Sequence, residues 1–387
     1  MARSDPVLIV LVYLGGLLAA AQFGKVSLLL PAYAEAFGRD LAGVAVLVSL
    51  VGVMGLLLGA MAGGIVAALG PGRSFLGGLA LGGAVSLASA VAPGFWAFAA
   101  LRAVEGLAHL ALVVAGPPLM AAAASDRARP LAMGLWGTFF GTSLALAAWA
   151  LPPLADAGGL PLVLAANGAA LLGLAAVMWH RVPRVPHAAL DLDPVAVHRA
   201  VYGRLSQVAP ALGFVCYTFL FLAALTFLPE ALGRPGAASV WSLVTLGSTL
   251  LGGAVCRHAA PWAVAAVGHL GTALGAGAVA LGVPGGAELC FAFMGLVPGA
   301  SFAAIAAWND GPRARARATG AIAQFGNLGT VTGTPAMALA VGAGGLPAFL
   351  SVTAGAALLG AVLAVWSGRA VTRSREAAPP TPSGPAA

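Results

Sequence analysis

Charge is what this sequence has least of. Asp, Glu, Lys and Arg together make up 8% of its 387 residues, against 60% hydrophobic. A soluble domain carries about a quarter charged residues. That excludes a water-covered globule of this size, and the apolar surface has to face lipid. Cysteine is also scarce. Cys216, Cys256 and Cys290 sit in apolar stretches without metal-type spacing, and read as buried, reduced packing residues. No Gly-x4-Gly-Lys-Ser/Thr loop is present, which excludes a P-loop ATP-driven pump. No His/Cys/carboxylate cluster has metal-ligand spacing. The sequence therefore predicts no enzyme, no cofactor and no metal.

What fills the chain is alanine, leucine, valine and 54 glycines, and glycine lets membrane helices pack closely. The first apolar segment starts near Val7 and outruns a signal-peptide core, with no small-residue cleavage site, so it is expected to stay as an anchor. A membrane helix needs roughly 20 apolar residues. On that ruler twelve spans are predicted, near 7–34, 41–69, 75–92, 95–122, 130–150 and 160–180, then 208–232, 237–256, 261–283, 286–308, 319–341 and 346–367. These are continuous apolar runs, not ten-residue alternations, so a β-barrel is excluded. The predicted fold class is all-α and polytopic: residues 1–180 as one six-helix half, 181–207 as a polar linker, 208–368 as a second half, and 369–387 as a disordered tail.

The net charge of +7 would suit nucleic acid if it were clustered on one surface, but it is distributed by loop. With the N-terminus inside, Arg3, Arg73, Arg127, Arg129, Arg181, Arg184, Arg199, Arg204, Arg257, Arg313, Arg315, Arg317, Arg369, Arg373 and Arg375 fall on the inner side, and Arg39 and Arg234 outside. This asymmetry fits the positive-inside rule with both termini cytoplasmic and an even number of spans. The cations orient helices in a bilayer, and no nucleic-acid partner is expected. The expected location is the inner (plasma) membrane of a bacterium.

The two halves carry traces of a repeat. Span 1 ends at Pro31 to Gly38 and span 7 at Pro229 to Gly233; Arg127, Arg129 and Gly134 open span 5, and Arg313, Arg315, Arg317 and Gly320 open span 11. A six-plus-six repeat suits a site between halves that rock about it. Span 4 carries Arg102-Ala-Val-Glu-Gly106, and spans 5 and 11 are Gly-rich, with Gly134, Gly137 and Gly141 in one and Gly326-Asn327-Leu328-Gly329, Gly333 and Pro335 in the other. On these residues the chain resembles the major facilitator superfamily (MFS) over essentially its whole length, and weakly its cyanate/nitroimidazole-type branch. The resemblance implies a monomeric secondary transporter of a small solute, with spans 1, 4, 7 and 10 lining a cavity. Two features depart from it. The loop from Gly64 to Arg73 lacks the family's acid, and span 5 lacks the Gly-Pro signature of drug/proton antiporters.

Ionisable groups inside spans mark pathways or pairs, because a charge at the bilayer centre costs about 2.5–3.5 kcal/mol. Here they are Lys25, Arg102 and Glu105, joined by His109 and His269. Lys25 is the one lysine among 19 cations; a compact ammonium can lose its proton, whereas arginine stays charged. It could instead snorkel to the outer interface. Arg102, Glu105 and His109, at i, i+3 and i+7, share a helix face. They form either a cavity-facing group that changes protonation or a structural ion pair that fixes packing. By helical rise Lys25 and Glu105 reach similar depth, roughly 10–15 Å from the outer surface, so a contact is expected, with Gln22 one turn away. His269 reads as a buried packing histidine. Gln324 and Asn327 in span 11 are candidate hydrogen-bonding groups or interhelical glue.

The expected function is proton-coupled transport of a small solute by alternating access, with a small anion as substrate. The alternatives are multidrug or metabolite efflux, with Trp136, Phe139 and Phe140 lining an apolar pocket, and a non-transporting protein on the same scaffold.

Overall fold

The computed structural model describes residues 4–182 and 193–377. The chain is helical throughout these residues: α1 (Pro6–Ser27), α2 (Leu30–Phe37), α3 (Leu41–Leu69), α4 (Pro71–Ala90), α5 (Phe95–Ala123), α6 (Arg129–Gly137), α7 (Phe139–Met178), α8 (Pro194–Tyr202), α9 (Leu205–Ala231), α10 (Ala237–Val255), α11 (Pro261–Ala280), α12 (Gly286–Trp308) and α13 (Pro312–Glu376). Asp5 caps α1 by accepting from the Leu8 amide, and Asp40 caps α3 in the same way. The span expected at 7–34 is broken between α1 and α2. Pro31 has no amide to give the preceding turn, and its ring crowds the carbonyl there.

Among the described residues nine helices are long and apolar enough to cross a bilayer, with α7 and α13 each counted once. Each of these two bends at a glycine pair, Gly158–Gly159 and Gly344–Gly345. Split there, and joined by the less apolar α4, they make up the twelve spans. The two bends are copies of each other. Ala-Gly-Gly-Leu-Pro occupies both 157–161 and 343–347. Gly158 and Gly344 lie at φ/ψ of −156/19 and −154/19, while Gly159 and Gly345 lie at 68/−172 and 60/−148. The second glycine of each pair sits in a region open essentially to glycine alone. The helical hairpins 5–6 and 11–12 are thus one unit used twice, a clearer repeat than the Pro-Gly traces. Gly38 and Gly233 also match, both left-handed (φ 58 and 63) and each followed by an arginine.

The start of α1, the end of α13, α8 and the α3–α4 turn lie on one face, here the terminal face; the α1–α3 and α9–α10 connections lie on the far face. One apolar cluster runs through both halves from the far face, with Leu30, Tyr33 and Phe98 from the first and Leu228, Trp241 and Phe349 from the second, to the terminal face, with Val201 of α8, Ile305 of α12 and Ala321 of α13. Towards the terminal face, Leu8, Val12, Phe75 and Met178 belong to a cluster drawn from the first half alone. Val264, Ala265, Ala300 and Ala364 form another drawn from the second. The halves share the large cluster along their seam, and each keeps a smaller core of its own towards the terminal face.

Three local expectations need correction. Residues 369–376 continue α13 as helix, where a disordered tail was expected from 369; Arg373 and Arg375 in the last turn complement its C-terminal dipole. Arg375 also donates to the Ala307 carbonyl at 2.6 Å and pairs with Asp310 at 3.0 Å. The linker contains α8, capped by Asp193, and α9 already begins at Leu205. Residues 1–3, 183–192 and 378–387, with Arg3, Arg184, His187, Asp191 and the end of the tail, lie outside the described residues. Cys256, at the end of α10, is half-buried, unlike Cys216 and Cys290.

Gly159→Ala and Gly345→Ala should each destabilise the fold by about 1–3 kcal/mol, the cost of a side chain in that backbone region. Gly277→Ala, a helical glycine with open space around its α-carbon, should not. Thermal unfolding of the purified protein in detergent reads the difference.

Candidate functional site

The local chemistry of α5 starts with Arg102 and Glu105, one turn apart and therefore side by side. Gly106 next to them lets α5 lie against α3, since a Cβ there would stand 2.5 Å from the Val51 carbonyl oxygen. That approach brings Arg102 Nε to the Leu47 carbonyl at 3.0 Å. Arg102 Nη2 donates to the Gln22 carbonyl on α1 at 2.8 Å, and Nη1 bonds Glu105 Oε2. The other Glu105 oxygen accepts from Lys25 Nζ at 2.6 Å. Lys25 also donates to Ser86 Oγ of α4 at 2.7 Å and to Asn167 Oδ1 of α7 at 3.1 Å. Ser86 in turn donates to the Leu164 carbonyl at 2.7 Å.

The expected Lys25–Glu105 contact is therefore present, and Lys25 does not snorkel: it is 1% exposed, and Arg102 and Glu105 are 0% exposed. Of the two readings of the Arg102 face, a cavity-facing group or a structural ion pair, the contacts supply the pair: every partner comes from the first half, on α1, α3, α4, α5 and α7. Helical periodicity tells which residues share a face and not where that face points. Ser86 and Asn167 went unnoticed in the sequence, although each is a polar residue interrupting an apolar run.

His109 lies one turn further along α5. Its Nδ1 donates to the Ala19 carbonyl at 2.9 Å, since a carbonyl can only accept. The edge of Phe23 meets its ring at a centroid distance of 5.0 Å. Its hydrogen bond thus goes to α1 and not to Glu105. Gln22 is 0% exposed, and neither its amide nitrogen nor its amide oxygen has a partner within the protein. Such a group forfeits its hydration.

Gln324 and Asn327 belong to a different place, the seam between the halves. Gln324 Nε2 donates to the Leu56 carbonyl of α3 at 3.0 Å, while its Oε1 accepts from the Tyr202 hydroxyl of α8. One side chain therefore joins both halves and the linker helix. Burial pushes the Tyr202 phenol above its ordinary pKa. Asn327 packs against Gly55 of α3 and donates to the Ala323 carbonyl of its own helix at 2.8 Å. His269 is a packing residue, bonded to the Gly213 carbonyl at 3.1 Å and seated against Gly360. Trp136 is buried, stacked on Phe139 at 4.8 Å and wedged against Gly16 and Gly116, between α1 and α5. Among the described residues no group of His, Cys, Asp and Glu could hold a metal ion.

The fold is twelve helical spans in two halves that share one glycine bend, with a buried ion network in the first half. The sequence profile of the Major Facilitator Superfamily matches residues 12–299, and the chain belongs to that family. It is a multi-pass membrane transporter and not an enzyme. Among solved structures it is similar to a bacterial homologue of the human lysosomal transporter Spinster in an inward-facing, occupied conformation. Identity there is 13%, the TM-score 0.68, and the match covers 98% of this chain and 100% of that one. It is also similar to the human organic anion transporter MFSD10 (TETRAN), at 20% identity and a TM-score of 0.68, over 92% of this chain and 98% of that one. No curated protein matches the sequence.

Because Glu105 serves two cations, its loss should be worse than the loss of either one. Glu105→Gln leaves two buried charges without a counter-ion and should cost about 3–5 kcal/mol. Lys25→Met leaves Glu105 paired with Arg102 and should cost less. Unfolding midpoints of the two variants, compared with Gln22→Leu, which should be neutral or stabilising, check this order.

Proposed function

We propose that this chain is a proton-coupled secondary transporter of a small anion, and that Lys25, Arg102 and Glu105 are its coupling element. One observation carries the reading: a single carboxylate, with no exposure, is shared by two buried cations. When Glu105 is ionised the group carries one positive charge in excess. When Glu105 takes up a proton the excess rises to two, and both cations lose their anionic partner. A solute anion supplies the missing charge, so proton and anion bind together and leave together. Contact between the solute and Lys25 is not needed. At an effective dielectric of about 20, a unit charge about 10 Å away is still worth about 1.7 kcal/mol.

A rocking movement is supported by the glycine bend that recurs in both halves and by the smaller core that each half keeps for itself. The arginine distribution favours a terminal face in the cytoplasm, with the chain in the plasma membrane. Gln324 then sits at the cytoplasmic seam, where a rocking movement of the halves strains its bonds to α3 and α8.

Glu105→Gln, reconstituted in liposomes, should abolish accumulation driven by a proton gradient while sparing exchange of solute for solute. Unchanged gradient-driven accumulation would remove Glu105 from the mechanism. Lys25→Met should weaken the binding of a transported anion about tenfold, the equivalent of about 1.4 kcal/mol. An unaltered dissociation constant would remove the anion from the reading.

A further inference from the structure

Gln22 is a polar residue that the charge network leaves idle. Its backbone carbonyl accepts from Arg102 Nη2 at 2.8 Å. Its side-chain amide, with no exposure, has no partner at either end.

A glycine makes room for that amide. A Cβ at Gly82 of α4 would stand 2.7 Å from Gln22 Nε2 and 3.3 Å from Ala108 Cβ of α5. The amide therefore lies where α1, α4 and α5 meet, and each of these helices puts it one turn from the network. Gln22 precedes Lys25 by three residues, Gly82 precedes Ser86 by four, and Ala108 follows Glu105 by three. Residues at these spacings are neighbours, about 5–6 Å apart at Cβ. Lys25 Nζ binds both Ser86 Oγ and Glu105 Oε1. The amide thus sits one turn to the terminal side of the ammonium and of the carboxylate.

While Glu105 is ionised the amide has no task there. Each carboxylate oxygen already takes a cation, and a carboxylate can only accept, so it has no use for the amide oxygen. A protonated carboxyl has one O–H donor and one carbonyl acceptor, which match the carbonyl and N–H of a primary amide. The two groups can close a pair of hydrogen bonds, from the carboxyl O–H to Gln22 Oε1 and from Gln22 Nε2 to the other carboxyl oxygen. The remaining polar groups around Glu105 are engaged. Ser86 Oγ serves Lys25 and the Leu164 carbonyl, Asn167 Oδ1 serves Lys25, and the Leu47 carbonyl serves Arg102. His109 Nδ1 donates to the Ala19 carbonyl. The Tyr33 hydroxyl of α2 is also without a partner, but its ring rests on Phe98 at 5.3 Å, one turn before Arg102 and on the opposite side of the network. Lys25, Arg102, His109 and Tyr33 are the charged and titratable groups about the carboxyl; α3, α4 and α7 meet the network through the neutral Leu47, Ser86 and Asn167.

We propose that Gln22 is the partner of Glu105 in its protonated state: the neutral carboxyl leaves Lys25 and Arg102 and closes on the amide. The inference rests on Glu105 as the proton carrier and adds how its two cations are released. The proton stays on Glu105, and only hydrogen bonds change hands. Gln22 is a positioning residue in this step, idle in one protonation state and bonded in the other. An unpartnered buried amide costs stability in the first state, and the second state uses it.

A double-mutant cycle on the purified protein in detergent tests the pairing without any solute. Glu105→Gln puts a neutral amide in the place of the protonated carboxyl. In the wild-type background Gln22→Leu should leave the unfolding midpoint unchanged or raise it. In the Glu105→Gln background the same substitution should lower the midpoint by about 2 °C, the size of one or two hydrogen bonds in a chain of this length. A packing role alone gives the same shift in both backgrounds, and equal shifts would overturn the proposal. If Glu105→Gln does not fold, the cycle is read between Lys25→Met and Lys25→Met/Glu105→Gln, where one of the two stranded cations is gone, with the same expected and contradicting results. The pairing and the reading it rests on fail separately. Equal shifts remove Gln22 whatever Glu105→Gln does to proton-driven accumulation, and unchanged accumulation in Glu105→Gln removes the proton from Glu105 whatever the cycle gives.

Discussion

Everything in the first half is arranged around the carboxylate of Glu105. Three ionised side chains are buried completely, which lipid and apolar helices tolerate only if the charges satisfy one another. Each Glu105 oxygen takes one cation, and the remaining donors of Lys25 and Arg102 go to Ser86, Asn167 and the carbonyls of Leu47 and Gln22. In doing so the network ties α1, α3, α4, α5 and α7 together from inside. In the proposed coupling, the same bonds that stabilise these helices make their packing sensitive to one proton on one carboxyl. Structure and proposed coupling are here the same set of contacts.

The second half repeats the frame without repeating the chemistry. The Ala-Gly-Gly-Leu-Pro bend and the left-handed glycine followed by arginine recur. Among the described residues the buried histidine of the C-terminal half is His269, whose hydrogen bond closes on the Gly213 carbonyl. Arg39 lies over the Phe95 ring at 4.0 Å, whereas its counterpart Arg234 pairs with Glu288 at 2.7 Å. A duplicated scaffold has thus been given an ionic half and a packing half. In the proposed cycle the first senses the proton and the second provides the surface against which it moves.

Much of this was readable in the sequence. The apolar runs mark the spans because lipid imposes a length on them; α3 and α12 have the predicted limits. The Lys25–Glu105 contact follows from helical rise counted from opposite ends. Other features were hidden for physical reasons. Rotation of a helix about its axis is decided by packing, so the direction of the Arg102 face could not be read from α5 alone. The helix from Gly368 to Glu376 looks disordered by composition, yet Arg375 anchors it to Ala307 and Asp310. Gln324 was visible as a polar residue in an apolar helix, but its role at the seam depends on α8, a nine-residue amphipathic helix in the polar linker, too short to register as a span. The repeated Ala-Gly-Gly-Leu-Pro bend was legible and overlooked, because it falls between spans.

The central claim is that Glu105 changes protonation as solute binds. Infrared difference spectroscopy of the purified protein, with and without a transported solute, observes this step directly. The account predicts a protonated-carboxyl C=O band that appears on solute binding and is absent in Glu105→Gln. Solute binding and proton-driven transport with no carboxyl band changing in the wild type would contradict it.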